Sequence, residues 1–437
     1  MPDNWIIRNA RLLDPADGTE RRDDLFITDG HISAAPPPRT SARILDAGGW
    51  VVCPGFIDLH VHFREPGQET AETVQSGSES AVAGGFTTVV TMPNTRPPVD
   101  TPEHVRHQFK LAADAGRVRL LPSACLTIGR AGTQPADITG MAAAGAIAFT
   151  DDGSTVMDTA VMRTAMLRAH ATGRPVFDHA LDPSLAGNGV IRDGDTARRL
   201  NLPGIPPEAE TAIVRRDIAL ASETGCHLHL QHLFAGDSIN LLREAVARGI
   251  PVSAEATPHH LALCDADIPD DDACYKMNPP LTSAGDRDRL LDAVADGSIT
   301  VLATDHAPHT DLSKAGGFRT APFGVIGLET AVGITFTLLV ASNRMPLIEW
   351  VRRWTTGPAS LLKLPPPSLQ PGAVADLICL DLQSPWTVDP AQFRSLSRNT
   401  PFAGRTVTGR AMITLIGGNL RYAHQIALSR LFENVPL

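Results

Sequence analysis

Histidine and aspartate gather at one kind of place in this chain. Short apolar runs end in Asp58-Leu-His60-Val-His62, Thr150-Asp151-Asp152-Gly153, Asp178-His179, Gln231-His232, Thr257-Pro-His259-His260 and Thr304-Asp305-His306-Ala-Pro-His309. Alternation along an extended chain puts His60 and His62 on one face. A single strand-end histidine is more often a hydrogen-bonded core or rim residue than a ligand. Repetition at the ends of several runs shifts the reading towards metal, because neutral imidazole and carboxylate suit Zn2+ or a similar divalent ion. Four or more His with two Asp exceed the needs of one tetrahedral ion, so two metals about 3.5–4 Å apart are expected. Such a centre lowers the pKa of water from 15.7 towards roughly 7 and makes a nucleophile available at neutral pH. Parity leaves one ambiguity: His227 and His229 alternate on one face and His232 falls on the other, so strand logic alone prefers His227 and His229 as an inward pair. His31, His104, His107, His170 and His424 sit away from the strand ends and read as surface or structural residues.

Something must bring these ends together. The runs read as strands are Gly55–His62, Phe86–Met92, Val118–Leu126, Ala146–Asp151, Pro175–His179, Cys226–His232, Pro251–Thr257 and Ile299–Thr304. Ala- and Leu-rich helical stretches lie between them, including Thr70–Ala83, Met157–Ala171, Glu208–Ser222, Ser238–Arg248 and Asp286–Ala295. Glycine often precedes the next strand, the expected punctuation of a helix end. Eight such units in series predict parallel pairing and an α/β fold, a (β/α)8 TIM barrel, whose active sites lie at the C-terminal ends of the strands. A doubly wound open sheet is the alternative. Both ends of the chain show short alternating runs broken by turns such as Asp17-Gly18 and Asp29-Gly30. They predict a small all-β domain formed from both termini, residues 1–54 and 365–437, around a barrel of residues 55–364. Pro365-Pro366-Pro367 marks the exit from the barrel.

Composition narrows the class. The chain has 437 residues, 43% hydrophobic and 20% charged, which excludes disorder and collagen-like repeats. A net charge of −10 without a clustered basic face excludes a nucleic-acid footprint. The longest nearly apolar stretch, Ala331–Ala341, is too short to span a bilayer, and the N-terminus lacks a signal-peptide core. Six scattered cysteines without a CxxC predict free thiols in a reducing cytoplasm. Only four lysines occur, Lys110, Lys276, Lys314 and Lys363, and none ends a predicted strand.

A family resemblance rests on His60-Val-His62-Phe-Arg64-Glu-Pro-Gly67, Met92-Pro-Asn94-Thr95, Thr150-Asp-Asp152-Gly153, Thr257-Pro-His-His260-Leu261, Tyr275-Lys-Met-Asn278-Pro-Pro-Leu281, Ala303-Thr-Asp305-His-Ala-Pro-His309 and Ala321-Pro-Phe323-Gly324. In order and together, from about Val51 to Gly409, these resemble the bacterial class I dihydroorotases of the amidohydrolase superfamily. The resemblance implies that His60, His62 and Asp305 hold a first metal, that His179 and His232 hold a second, and that Asp152 bridges them, with Zn2+ the expected ion. It thereby prefers His232 over the parity argument and Asp152 over its neighbour Asp151. Many superfamily members bridge with a carbamylated Lys; the placement of the four lysines agrees with a carboxylate instead. Arg64, Asn94 and His309 are implied to bind the substrate carboxylate, and Asn278 with the backbone around Phe323-Gly324 the ring; His62 also borders the substrate. The implied reaction is the reversible cyclisation of N-carbamoyl-L-aspartate to L-dihydroorotate in pyrimidine biosynthesis, through a metal-bridging hydroxide with Asp305 as general acid/base. A homodimer and an association with aspartate carbamoyltransferase are the implied partners. One departure stands out: where the family usually has Cys-Glu-Asp after the fifth-strand histidine, this chain has Ala180-Leu181-Asp182. The polar segment 310–320, with Gly316-Gly317, reads equally as a mobile flap or an ordinary long loop. The alternatives are a hydantoinase, dihydropyrimidinase or allantoinase, a non-catalytic dihydroorotase-like scaffold, and a metal-free binding barrel.

Overall fold

The computed structural model describes residues 3–433. Its middle is a parallel barrel whose staves follow chain order. Phe56–Val61, Phe86–Thr91 and Arg119–Pro122 form one run, and Val176–Asp178, Leu228–Leu230, Val252–Ala256 and Val301–Leu302 form another. Phe149 joins the runs by parallel bridges to Ala124 on one side and Val176 on the other. The ring closes where Val61 bridges His306 and the His62 N–H donates to the His306 carbonyl at 2.9 Å. The fold is therefore the closed barrel rather than the doubly wound sheet.

The strands are shorter than alternation predicts, and carboxylates explain where they stop. The stretch Ala146–Asp151 forms only the two isolated bridges at Phe149. Beyond it, Asp151 Oδ1 accepts from the Leu126 and Thr127 backbone N–H groups, at 2.9 and 3.1 Å. At the seam, Asp58 Oδ1 takes the Thr304 N–H at 3.0 Å. Side-chain oxygens thus replace ladder carbonyls near the mouth, and the chain leaves the sheet without orphaning its donors.

Helices cover the outside. Thr159–Thr172, Glu208–Thr224, Gly236–Ala247 and Ala284–Asp296 pack Met162, Val214, Leu242 and Leu290 against the outward residues of the staves. Glu208–Thr224 ends at Gly225 in the left-handed region, φ 69°, which turns the chain directly into the stave that carries His229. No helix among the described residues is long and apolar enough to cross a membrane.

Among the described residues, both ends of the chain build a nine-stranded sheet. Asn4–Asp14 pairs with Thr19–Thr28, Ala42–Asp46 and Val51–Pro54, while Leu377–Thr387 joins Val51–Pro54 antiparallel and extends through Thr406–Ile416 to Asn419–Ala423. Trp5, Leu12, Trp50, Leu377 and Leu415 fill its core. Val51–Pro54 passes into the first barrel strand through Gly55, where a Cβ would lie 2.1 Å from the Thr87 methyl. Only glycine fits that approach of terminal sheet to barrel.

Candidate active site

The mouth at the C-terminal ends of the staves gathers the residues that the sequence singled out. His60 and His62 project from the end of the first stave, His179 follows the fifth, His232 the sixth and Asp305 the eighth, and Asp152 stands in the turn beyond Phe149. His60 Nε2 lies 3.1 Å from Asp152 Oδ1 and 3.4 Å from Asp305 Oδ1. His62 Nε2 lies 3.1 Å from Asp305 Oδ1 and 3.6 Å from Asp152 Oδ2. His179 Nδ1 faces His232 Nε2 at 2.9 Å. These six side chains are all buried.

Backbone conformation delivers several of them. His232 and Asp305 have φ of 30° and 45°, and Arg64, two residues past His62, has 58°. Side chains rarely adopt this region, and such strain concentrates at functional sites. It also resolves the parity conflict: His232 leaves strand geometry after Leu230, so alternation stops predicting its direction. His229 does point into the barrel, but it meets Glu255 rather than the cluster, with 3.1 Å between His229 Nε2 and Glu255 Oε2.

The donor set fits divalent ions. Overlapping triads, His60/His232/Asp305, His60/His62/Asp152 and Asp152/His179/His232, each bring one ligand atom per residue within 4.8 Å of the others. Burial opposes charge on His60, yet Asp305, Asp152 and Glu255 outweigh it and raise its pKa well above the ordinary value. Burial likewise opposes charge on Asp152, and His60 and His62 hold its carboxyl well below the usual range. The carboxylates therefore favour positive charge beside His60, whereas burial lowers the pKa of His179 and His232, the direction that favours the neutral imidazole a metal needs. His232 Nδ1 is a buried polar atom without a hydrogen-bond partner, another feature of a donor set left incomplete by protein atoms alone. No lysine joins the cluster: the Lys276, Lys314 and Lys363 amines donate to backbone carbonyls elsewhere, and Lys110 lies on the helix Pro102–Ala115. Asp151 is also turned away, its oxygens committed to Leu126 and Thr127.

The residues expected around a substrate line the same cavity of about 470 Å3: Arg64, Asn94, Asn278, His309, Phe323 and Gly324. Arg64 is anchored by Nε donating to the Pro308 carbonyl at 3.1 Å, and Nη2 lies 3.4 Å from His309 Nε2. Burial brings its pKa down to about 10, so the guanidinium stays charged at neutral pH. His309 Nε2 lies 2.7 Å from the Phe323 carbonyl, and burial with Arg64 lowers its pKa to about 3, which keeps it neutral. The two asparagines are already engaged. Asn94 spans His62 Nδ1 at 2.9 Å and Asp152 Oδ2 at 3.1 Å, while Asn278 Nδ2 meets His179 Nε2 at 3.0 Å and leaves its Oδ1 buried without a partner. The Gly324 N–H donates to the Lys276 carbonyl at 3.0 Å. Leu181, at the point of departure from the family pattern, packs on Ala186, Ile205 and Ala209 and borders an adjoining space of about 190 Å3.

Other prominent residues are structural. His260 bridges Thr257 Oγ1 and the Pro279 carbonyl, and His306 Nδ1 accepts from the Gly327 N–H. Glu255 escaped the sequence reading. Its signal was a lone acid inside the run Val252-Ser-Ala-Glu-Ala, in phase with Ser253. Its Oε1 lies 2.7 Å from His60 Nδ1, and although burial raises its pKa, His60 and His229 bring it down to about 2. Asn399, donating to the Ala307 and Gly324 carbonyls, offered no local signal.

The dihydro-orotase-like family model matches residues 49–238. A dihydroorotase of Geobacillus sp. (strain WCH70) is 43% identical over 418 residues, covering 95% of this chain and 98% of that protein. A dihydroorotase of Solibacter usitatus (strain Ellin6076) is 42% identical over 422 residues, covering 96% and 98%. Among solved structures, the L-hydantoinase (dihydropyrimidinase) of Arthrobacter aurescens matches with a TM-score of 0.84 at 29% identity, covering 96% of each chain. A D-hydantoinase gives 0.82 at 23% identity, covering 95% of this chain and 94% of the other, a likeness of fold alone. On identity of this level over nearly the whole length, the chain belongs to the dihydroorotase family.

Proposed function

We propose that the chain catalyses the reversible ring closure of N-carbamoyl-L-aspartate to L-dihydroorotate and water in pyrimidine biosynthesis. The observation that carries this reading is one cavity that joins His62, His179, His232, Asp152 and Asp305, with His60 buried behind them, to the Arg64 guanidinium. His60, His62 and Asp305 would hold one divalent ion and His179 and His232 a second, with Asp152 between them and zinc as the metal. Bound there, the ions supply Lewis-acid polarisation of the amide carbonyl and make a water acidic enough to ionise near neutral pH.

The chain's own residues do the rest. Arg64 holds the substrate carboxylate through the terminal nitrogens of its fork, because Nε is committed to Pro308. His309 turns its Nε2–H from the Phe323 carbonyl to the same carboxylate. Asn278 Oδ1, which lacks a partner, accepts a ring N–H. In hydrolysis Asp305 takes the proton of the attacking water and delivers it to the departing ring nitrogen. In synthesis it withdraws the ureido proton and returns it to the departing carboxylate oxygen. Asn94 holds His62 and Asp152 in register while the substrate exchanges.

The test is a cyclisation assay on N-carbamoyl-L-aspartate with metal quantified in the same sample. Activity should follow metal content. Arg64→Ala should lower kcat/KM by roughly 10- to 150-fold, the equivalent of about 1.5–3 kcal/mol for a lost charged partner, and Arg64→Lys should restore only part. Parental turnover by Arg64→Ala would make the residue structural. Turnover of hydantoins or dihydrouracil in place of dihydroorotate would replace the reading with another cyclic amidohydrolase. The finer proposals are a cytoplasmic homodimer able to associate with aspartate carbamoyltransferase, and domains of residues 1–54 with 365–437 around a barrel of 55–364. Light scattering of the protein alone and mixed with that enzyme tests the assembly.

A further inference from the structure

A polar column crosses the barrel interior, and the chemistry above does not use it. Around it the interior is apolar, with Leu59, Val90, Ile147, Phe177 and Val301. Within this packing stand His229 and Glu255, both 0% exposed. Strand register explains their meeting. His229 and Ser253 are paired on adjacent parallel strands, Glu255 lies two residues beyond Ser253 on the same face, and His227 lies two residues before His229. His60 Nδ1 is 2.7 Å from Glu255 Oε1, and Glu255 Oε2 is 3.1 Å from His229 Nε2. Ser253 Oγ is 2.9 Å from both His229 Nδ1 and His227 Nε2. Ser253 also borders a second cavity, of about 310 Å3, beside Val252 and Thr300 at the opposite end of the barrel.

A carboxylate can only accept, so both imidazoles that face Glu255 donate to it. The remaining directions follow. His229 Nδ1 accepts the Ser253 hydroxyl proton, and Ser253 Oγ accepts from His227 Nε2–H. His60 then keeps a proton on Nδ1 whatever Nε2 carries, and a cation bound beside Asp152 and Asp305, 3.1 and 3.4 Å from Nε2, would take the place of a proton there and meet the Nε2 lone pair. Packing alone does not require an imidazole at position 229, since its ring lies 4.9 Å from that of Phe177, where another phenyl group would fit as well.

We propose that Glu255, His229 and Ser253 are positioning residues that hold His60 in its Nδ1–H tautomer and fix its ring plane, with Nε2 directed to the metal cluster. The proposal rests on the reading of His60 as a metal ligand. Outer partners of ligating histidines orient the ring and raise its basicity, and their loss weakens metal binding by 10- to 100-fold.

The test measures metal dissociation constants by chelator competition, together with the imidazole 15N shifts of the zinc-loaded protein. His229→Phe keeps ring volume and removes both hydrogen bonds, whereas His229→Gln returns an N–H to Glu255. His229→Phe should weaken metal binding about tenfold, move the His60 Nδ1 shift away from its parental hydrogen-bonded value as Glu255 loses its second anchor, and lower kcat with little change in KM. His229→Gln should recover most of the affinity, and Glu255→Gln should lose more than His229→Phe. Parental metal affinity with unchanged His60 shifts in His229→Phe would overturn the proposal. Should that variant not fold, Ser253→Ala is expected to move both readouts in the same direction by less, and parental values there and in Glu255→Gln would overturn it equally. A different result, parental metal affinity in His60→Ala, would overturn the reading of the centre itself.

Discussion

Asp151 and Asp152 share a peptide bond and spend their carboxylates on different partners. Asp151 holds the backbone beyond the third stave through Leu126, Thr127 N–H and the Thr127 hydroxyl. Asp152 faces His60 and His62. Asp152→Ala should therefore lose at least one metal equivalent and most activity, measured by elemental analysis and assay. Asp151→Ala should keep more metal and lose stability, by about 1–3 kcal/mol for each buried donor left unpaired, read from urea unfolding. Full metal occupancy in Asp152→Ala would remove it from the centre. At this scale much was legible in the sequence, because strand-end His and Asp are rare enough in combination to stand out. Alternation placed His60 and His62 together. It could not place His232, whose positive φ lies beyond the reach of a two-residue period. Asn94 and Asn278 were visible as pocket residues, but their bonds to His62, Asp152 and His179 depend on contacts distant in sequence.

Elements bring a different pattern of success. The order of strand and helix was legible from Gly-punctuated apolar runs, whereas strand length was not, because side chains such as Asp58 and Asp151 take over ladder bonds at the mouth. The segment 310–320 left two readings open. It contains the short helices Asp311–Lys314 and Gly317–Thr320 and is pinned by buried Phe318 and Lys314. Lys314 Nζ donates to the Lys276 carbonyl at 3.1 Å and the Pro322 carbonyl at 2.9 Å, tying the segment to both neighbours of the cavity. Burial lowers its pKa from 10.5 to about 7. Between those values the unfolded chain binds a proton that the folded protein does not, so this residue makes stability rise with pH. The contribution is complete above about 10.5 and is lost as pH falls through about 7. Lys314→Met removes the titration. The unfolding free energy of the parent relative to this variant should climb by roughly 1.4 kcal/mol per pH unit across that window and stay flat below it. A constant difference from pH 6 to 10 would show that the amine keeps its proton in the folded protein.

Across the whole molecule, the terminal sheet does more than close the ends of the chain. The segment between Leu377–Thr387 and Thr406–Ile416 leaves that sheet and reaches the catalytic mouth. Ser397 Oγ donates to the Ala71 carbonyl at 2.7 Å, and the Ile326 N–H donates to the Asn399 carbonyl at 3.0 Å. The Asn399 side chain, 2% exposed, completes the link. Its Nδ2 donates at 3.0 Å to the carbonyls of Ala307 and Gly324, and its Oδ1 accepts the His309 N–H at 3.1 Å. Alternating hydrophobicity foretold strands at both termini but not this return, since the pairing of His309 with Asn399 spans 90 residues and leaves no periodic trace. Asn399 touches none of the six clustered His and Asp side chains, yet it fixes the backbone that carries His309 and Gly324. Asn399→Ala should accordingly leave metal content at the parental level. It should raise KM for dihydroorotate several-fold, because the carboxylate end of the pocket loosens, with a smaller effect on kcat. Three buried groups would lose their partner, at about 1–3 kcal/mol each before relaxation, so the melting temperature should fall as well. Metal loss without a change in KM would place the influence of Asn399 on the cluster rather than on the wall of the pocket. Parental KM and melting temperature together would show that the barrel holds its mouth without help from the C-terminal segment.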